Sequence, residues 1–276
     1  MFSIKPVRWL KKMYGYLKKI ASKKTSMLDY SAYRKACERA ATDDAAFTEF
    51  KSDPDYRIAT EHGDQSSVDV HYEAVRDRHP ELLSRAEDFR KNDMVGNPYT
   101  FIPSNHFCAG QWSSTTLRYM LVLGELIKHN LIDSGSKVVE VGAGYGGQFK
   151  ITQVLFTNLS WINVDLPETC LLSKKYIPDI SVVRSDESHK CSNEKYDLFL
   201  SCFAFSELSR KMQLEYYENI IKNCNRGFIV WNDMQQDFDH ICYDEFESFL
   251  EGKGFRLTIE HNELGRVIIF ANIGYI

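Results

Sequence analysis

Hydrophobic and polar positions follow two different patterns on either side of residue 110. Upstream, short stretches with helical spacing alternate with irregular connections. Residues 31–41 and 43–50 read as helices, the second opened by Thr42 as N-cap with acids in its first turn. Residues 80–91 read as another, with Pro80 at the first helical position. Residues 92–110 combine prolines, glycines and asparagines and read as a loop. Downstream, apolar runs alternate with amphipathic stretches. Residues 113–129 form a helix with Leu117, Met120, Leu121, Leu123, Gly124 and Ile127 at core spacings. Strands are expected at 137–141, 161–164, 181–184, 197–201 and 227–231, and helices at 148–156, 169–176, 206–224 and 243–252. Two strands, 255–260 and 267–272, close the chain around the turn 262–266.

Strands separated by helices imply an α/β fold: a doubly wound, mostly parallel sheet with helices on both faces. The last two strands are joined too tightly for a crossover, so they form an antiparallel hairpin and bring the sheet to seven strands. Three regions follow: 1–25, 26–110 as a helical accessory or substrate-lid region, and 111–276 as the cofactor-binding domain.

The first 24 residues change the picture at one end only. Lys5, Arg8, Lys11, Lys12, Lys18, Lys19, Lys23 and Lys24 face no acid, and Trp9, Leu10, Met13, Tyr14, Leu17 and Ile20 are interleaved at helical spacing. A basic amphipathic helix of this kind either lies on an anionic membrane surface or packs its apolar stripe on protein, including a second copy of the chain. The net charge of -4 argues against a nucleic-acid partner. The 7 cysteines include no Cys-x-x-Cys pair, which favours reduced thiols and a cytoplasmic chain, peripheral to the membrane at most. No apolar run reaches the roughly 20 residues of a membrane span.

The chemistry concentrates after the strand 137–141. Gly142, Gly144, Gly146 and Gly147 open the next helix, where glycine permits a tight turn and close approach of a cofactor to the backbone. The spacing Gly142-x-Gly144-x-x-Gly147 also fits a dinucleotide site. Glu140 shifts the balance. An acid at the buried end of a strand repels a pyrophosphate but suits a cofactor that carries a sulfonium and an ammonium. Its competing role is to cap local N–H groups. Asp165, about 20 residues on, is placed for ribose hydroxyls, with Leu166 beside it. Asp186 is placed either for an adenine amino group or as a solvated turn acid. Arg118 stands either on a cofactor carboxylate or in a surface ion pair. Tyr145 is expected at the methionine end, and Ser201 closes the fourth strand.

Residues 138–150 (VVEVGAGYGGQFK), 164–176 (VDLPETCLLSKKY) and 196–208 (YDLFLSCFAFSEL) resemble the sugar O-methyltransferases of bacterial surface-polysaccharide gene clusters. Residues 113–123 (SSTTLRYMLVL) and 92–98 (NDMVGNP) fit as well, and the resemblance spans most of 46–276. Cys202-Phe203 departs from the Asn-Tyr of that pattern. The resemblance implies a class I methyltransferase fold, S-adenosylmethionine as methyl donor and a sugar hydroxyl as acceptor.

A sugar hydroxyl is a weak acid, so a general base is expected at the carboxyl ends of the strands. Glu207, His106 and Asp233 meet that condition. Their structural alternatives are support of a helix turn, a satisfied loop histidine and a turn cap, in that order. The acidic run 233–240 reads as a solvated loop rather than a magnesium site, because its spacing matches no defined metal loop. Three other functions stand beside sugar methylation: methyl transfer to a non-sugar small molecule, a nicotinamide-dependent oxidoreductase and a non-catalytic polysaccharide-assembly subunit.

Overall fold

The computed structural model describes residues 30–232 and 239–275. The basic segment 1–24, Asp233 and most of the acidic run therefore lie outside the described residues. Among the described residues no helix is long and apolar enough to cross a membrane.

Seven strands form one sheet: β1 (Lys137–Val141), β2 (Ser160–Asp165), β3 (Ser181–Arg184), β4 (Tyr196–Cys202), β5 (Cys224–Trp231), β6 (Phe255–Asn262) and β7 (Gly265–Asn272). Their order is β3-β2-β1-β4-β5-β7-β6. β1 to β5 are parallel, β7 is antiparallel to β5, and β6 is antiparallel to β7. The closing hairpin thus folds back, with its second strand inside the sheet and its first at the edge. This is the doubly wound, mostly parallel sheet with a closing antiparallel hairpin expected from the sequence. The chain reverses its direction of winding between β1 and β4, the crevice where open α/β sheets bind ligands.

Strand alternation divides the core into two layers. Val138, Leu198, Leu200, Phe228, Val230, Val267 and Ile269 face one layer with Leu117, Met120 and Leu121. Val139, Val141, Phe199, Ile229, Ile268 and Phe270 face the other with Tyr216, Phe246 and Leu250. In chain order the helices are α1 (Ser31–Thr42), α2 (Asp44–Glu49), α3 (Pro54–Arg57), α4 (Gln65–Arg78), α5 (Ala86–Arg90), α6 (Ser114–Lys128), α7 (Gly147–Thr152), α8 (Pro167–Tyr176), α9 (Arg210–Asn219) and α10 (Tyr243–Gly252).

Several elements differ from the sequence expectation: Asp43, not Thr42, caps α2, and the short α3 was not anticipated. α4 is unanticipated: Asp64 opens it with a capping box to Ser67, and Val68, Tyr72 and Val75 give it a buried stripe. The helix expected over 80–91 breaks into two 3-10 turns flanking α5. The helix expected over 206–224 begins only at Arg210, after a 3-10 turn Ala204–Glu207 and extended residues Leu208 and Ser209. Phe203, at φ 71, forces that turn.

Glu125 ties the helical layer to the sheet edge. It is fully buried and accepts from Arg78, from His79 Nε2 at 3.1 Å and from Lys128 Nζ at 3.2 Å. Lys128 also reaches Glu260 of β6 at 2.8 Å. Burial works against the Glu125 charge, but His79, Arg78 and Lys128 outweigh it and hold the carboxyl down to about 2. A carboxyl depressed in this way adds stability above its ordinary range and loses it as pH falls through the folded value. Glu125→Ala is therefore expected to cost about 3 kcal/mol at pH 7 in urea unfolding. The gap between the two proteins should shrink as pH falls from 4.5 toward 2, and a gap independent of pH would contradict this account.

Candidate active site

The turn after β1 carries the site. Gly142 has φ 76, and a Cβ there would lie 2.1 Å from the Ala204 Cβ, so the turn after β4 presses directly on the glycine loop. Gly144, at φ 58, is different: a Cβ would meet nothing within 4 Å. Backbone is thus presented to open space at the switch point, a cradle for a ligand that must approach closely.

Two acids flank this cradle. Asp165 accepts the Gly144 N–H at 2.8 Å and the Leu166 N–H at 2.7 Å. Burial nevertheless pushes its carboxyl up to about 6. Glu140 is 4% exposed and faces the α6 layer. It caps no local backbone. Its Oε2 accepts the Trp161 indole N–H at 3.1 Å, and no cation touches it among the described residues. Burial pushes its carboxyl up to about 8, with the Asp165 charge adding to the rise and Trp161 opposing it.

The back of the loop is bolted to the N-terminal helices. Tyr145 does not line an open methionine end. Its ring is fully buried against Phe50, Tyr119 and Tyr176, and its hydroxyl accepts from Asn92 Nδ2 at 3.0 Å. Asn92 also donates to the Thr116 hydroxyl at 2.8 Å and accepts from the Tyr176 hydroxyl at 2.8 Å. Lys51 is fully buried, with Nζ 2.6 Å from the Asn92 carbonyl and 4.4 Å from the centre of the Tyr145 ring. Burial lowers its ammonium to about 8. Asp93 accepts from the Ser113 and Thr116 hydroxyls at 2.7 and 2.6 Å, which fixes the start of α6.

Other expected residues separate into those at the crevice and those elsewhere. Ser201 is buried, donates to the Val141 carbonyl at 2.8 Å and accepts the Phe205 N–H at 3.1 Å, so it joins β1 to the turn after β4. Gly146, at φ 89, precedes α7, and Leu166 precedes Pro167 at the start of α8. Arg118 is half-buried, with its guanidinium 5.6 Å from the Phe203 ring centre, and it forms no ion pair with the described residues. Asp186 pairs with a neighbour on the same turn. It is exposed, and Arg184 holds both its oxygens at 3.0 and 2.7 Å. His106 Nε2 lies 2.8 Å from Glu73 and 2.7 Å from Arg76 on α4, and this single nitrogen either donates to the carboxylate or accepts from the guanidinium. None of these bonds reaches the glycine loop. One group that could hold a metal ion, Glu125, His129 and Glu260, lies at the far end of α6. Lys128 already bridges its two acids.

Glu207 does lie at the crevice, on the same turn as Ala204. Its Oε2 accepts the Tyr30 hydroxyl at 2.8 Å and its Oε1 accepts Asn232 Nδ2 at 2.7 Å. Burial raises its carboxyl above the usual range. Tyr30 senses both Glu207 and Asp165, which hold its phenol protonated together with burial. Tyr30, Asn92, Lys51 and Asn232 were not anticipated. Only the 92–98 resemblance marked any of them.

No protein-family model and no curated protein matches the chain. Solved structures similar to it include an S-adenosylmethionine-bound amino pentose methyltransferase from Micromonospora echinaspora, involved in calicheamicin biosynthesis. It has 9% identity and a TM-score of 0.46, over 56% of this chain and 90% of that one. A SAM-dependent methyltransferase from Aquifex aeolicus has 18% identity and a TM-score of 0.40, over 53% and 87%. A ribosomal protein L11 methylase from Lactobacillus delbrueckii subsp. bulgaricus has 13% identity and a TM-score of 0.41, over 56% and 79%. The strand order and register carry the fold assignment.

The raised Glu140 carboxyl makes a prediction for the ligand-free protein. Folded Glu140 keeps its proton between its ordinary 4.5 and about 8, whereas the unfolded chain loses it. Stability should therefore fall by ~4 kcal/mol as pH rises through that window. Glu140→Gln should flatten the fall while keeping the Trp161 bond. Urea unfolding at pH 6 and pH 8 checks this, and parallel pH dependence in both proteins would refute it.

Proposed function

We propose that this chain is an S-adenosylmethionine-dependent O-methyltransferase that acts on a sugar hydroxyl. The observation that carries the cofactor reading is Glu140, a buried acid beside the Gly144 cradle that no cation touches among the described residues. A cationic ligand would relieve it, and a pyrophosphate would aggravate it. Antiparallel β7 also sets the sheet apart from a nicotinamide-binding domain. The sugar reading rests on the sequence resemblance, and a crevice edged by Tyr30, Glu207 and Asn232 suits a hydroxylated acceptor.

When bound, the cofactor supplies a methyl group on positively charged sulfur, which an acceptor oxygen displaces in line. The chain's residues fit it as follows. Gly144 admits its close approach to the backbone. Asp165 has lone pairs left for ribose hydroxyls after accepting from Gly144 and Leu166. Arg118, which pairs with no acid among the described residues, offers its guanidinium to the cofactor carboxylate. Glu207, as carboxylate, accepts the acceptor hydroxyl's proton while the oxygen pair forms the new bond to carbon. Tyr30 and Asn232 orient it and stabilise its ionised form.

Calorimetry should show binding of S-adenosylmethionine and none of NAD, and methyl label from the cofactor should appear on a glycan acceptor. Preferential NAD binding would overturn the reading. Glu207→Gln should lower kcat by about 10²–10⁴ with cofactor affinity unchanged. Tyr30→Phe removes a hydrogen bond that favours the charged carboxylate, so Glu207 should titrate at higher pH. The acidic limb of the kcat–pH profile should then move upward, and an unmoved limb would remove Glu207 as the base.

A further inference from the structure

The connection 58–64 between α3 and α4 lies directly on the first turn of α6. The Thr115 hydroxyl donates to the Thr60 carbonyl at 3.3 Å, and the Arg57 Nε donates to the Glu61 carbonyl at 3.0 Å. Gly63 sits so close to α6 that a Cβ would lie 2.2 Å from the Ser114 Cβ. The connection is therefore held in place from several sides, and it carries two polar groups with unmet bonding capacity. Glu61 is 6% exposed, and its Oε1 has no hydrogen-bond partner. His62 Nδ1 is buried and likewise without one. One turn along α6, Arg118 forms no ion pair with the described residues and rests against Phe203 at the end of β4. Tyr119, whose ring presses on Gly147, feels the charges of Arg118, Glu61 and Glu140, which places this group beside the glycine loop.

Buried polar atoms are normally satisfied, and an orphan asks for an unseen partner. Here the orphan Glu61 oxygen lies in the field of a half-buried guanidinium, Arg118, that does not pair with it. Lys51 contributes to the field at Glu61, but its Nζ is taken by the Asn92 carbonyl. A neutral acceptor hydroxyl has no need of two opposite charges side by side. A zwitterion matches both.

We propose that Glu61, His62 and Arg118 form the subsite for the amino-acid end of the cofactor, with Glu61 on the ammonium and Arg118 and His62 on the carboxylate. This rests on the methyltransferase reading above, and it gives the helical region a direct part in cofactor binding. His62 is held neutral by burial and by the Arg118 and Arg57 charges, down to about 4, so it meets a carboxylate as an N–H donor.

Calorimetry with two nucleosides tests it. S-Adenosylhomocysteine carries the amino-acid end, and 5′-methylthioadenosine has the same nucleoside and thioether without it. The wild-type protein should bind the first much more tightly. Glu61→Gln and Arg118→Gln should each weaken S-adenosylhomocysteine by about 10- to 100-fold, the range for a lost hydrogen bond to a charged group. Binding of 5′-methylthioadenosine should stay the same, which also shows that each variant is folded. Glu61→Asp should fall between. Equal wild-type affinity for the two nucleosides overturns the proposal, as does unchanged S-adenosylhomocysteine binding in both Gln variants with a raised acceptor KM. Failure of the wild-type protein to bind either nucleoside would instead refute the methyltransferase reading and this subsite with it.

Discussion

A carboxyl group buried at the end of a central strand, with an indole N–H as its one hydrogen-bond partner among the described residues, sets the terms for the rest of this site. Strand alternation turns Glu140 into the α6 layer, among Val138, Trp161 and Leu198, where water cannot solvate it. The glycine turn begins two residues later. Whatever binds over Gly144 therefore binds in the field of an acid that gives up its proton reluctantly. That condition selects ligands by charge before any shape is considered. Asp165, across the same turn, adds a second acid whose carboxyl burial raises, and its charge lifts that of Glu140 further.

The loop can serve such a ligand only if it keeps its conformation when empty. The helical region provides this. Tyr145 is carried into an aromatic cluster and bonded to Asn92, which also holds Thr116 and Tyr176. The N-terminal helices thus contribute more than a cover. α1 packs on α8, Tyr30 reaches Glu207, and the 58–64 connection rests on α6. Residues far apart in sequence meet at the carboxyl edge of the sheet, as the doubly wound topology requires.

How much of this was legible depended on the range of the interactions. The sheet could be read because period-two runs and glycine turns are local signals. The same is true of Glu140, whose charge stands out in an apolar strand. Tyr145 was misplaced because its direction depends on Phe50, Asn92 and Tyr176, none of them near in sequence. Asp186 and His106 have partners that the sequence reading did not weigh, Arg184 in one case and Glu73 or Arg76 in the other. α4 was missed because charged residues and His71 interrupt its apolar stripe. The break before α9 carries no glycine or proline, and only the positive φ of Phe203 reveals it.

The central claim is that a cationic cofactor discharges the Glu140 proton. Proton-linked calorimetry measures this directly, by titrating S-adenosylmethionine at pH 7 in buffers of different ionisation enthalpy. With a carboxyl near 8 in the free protein, binding should release close to one proton in the wild-type protein and much less in Glu140→Gln. Equal proton release in the two proteins, or none in either, would contradict the account.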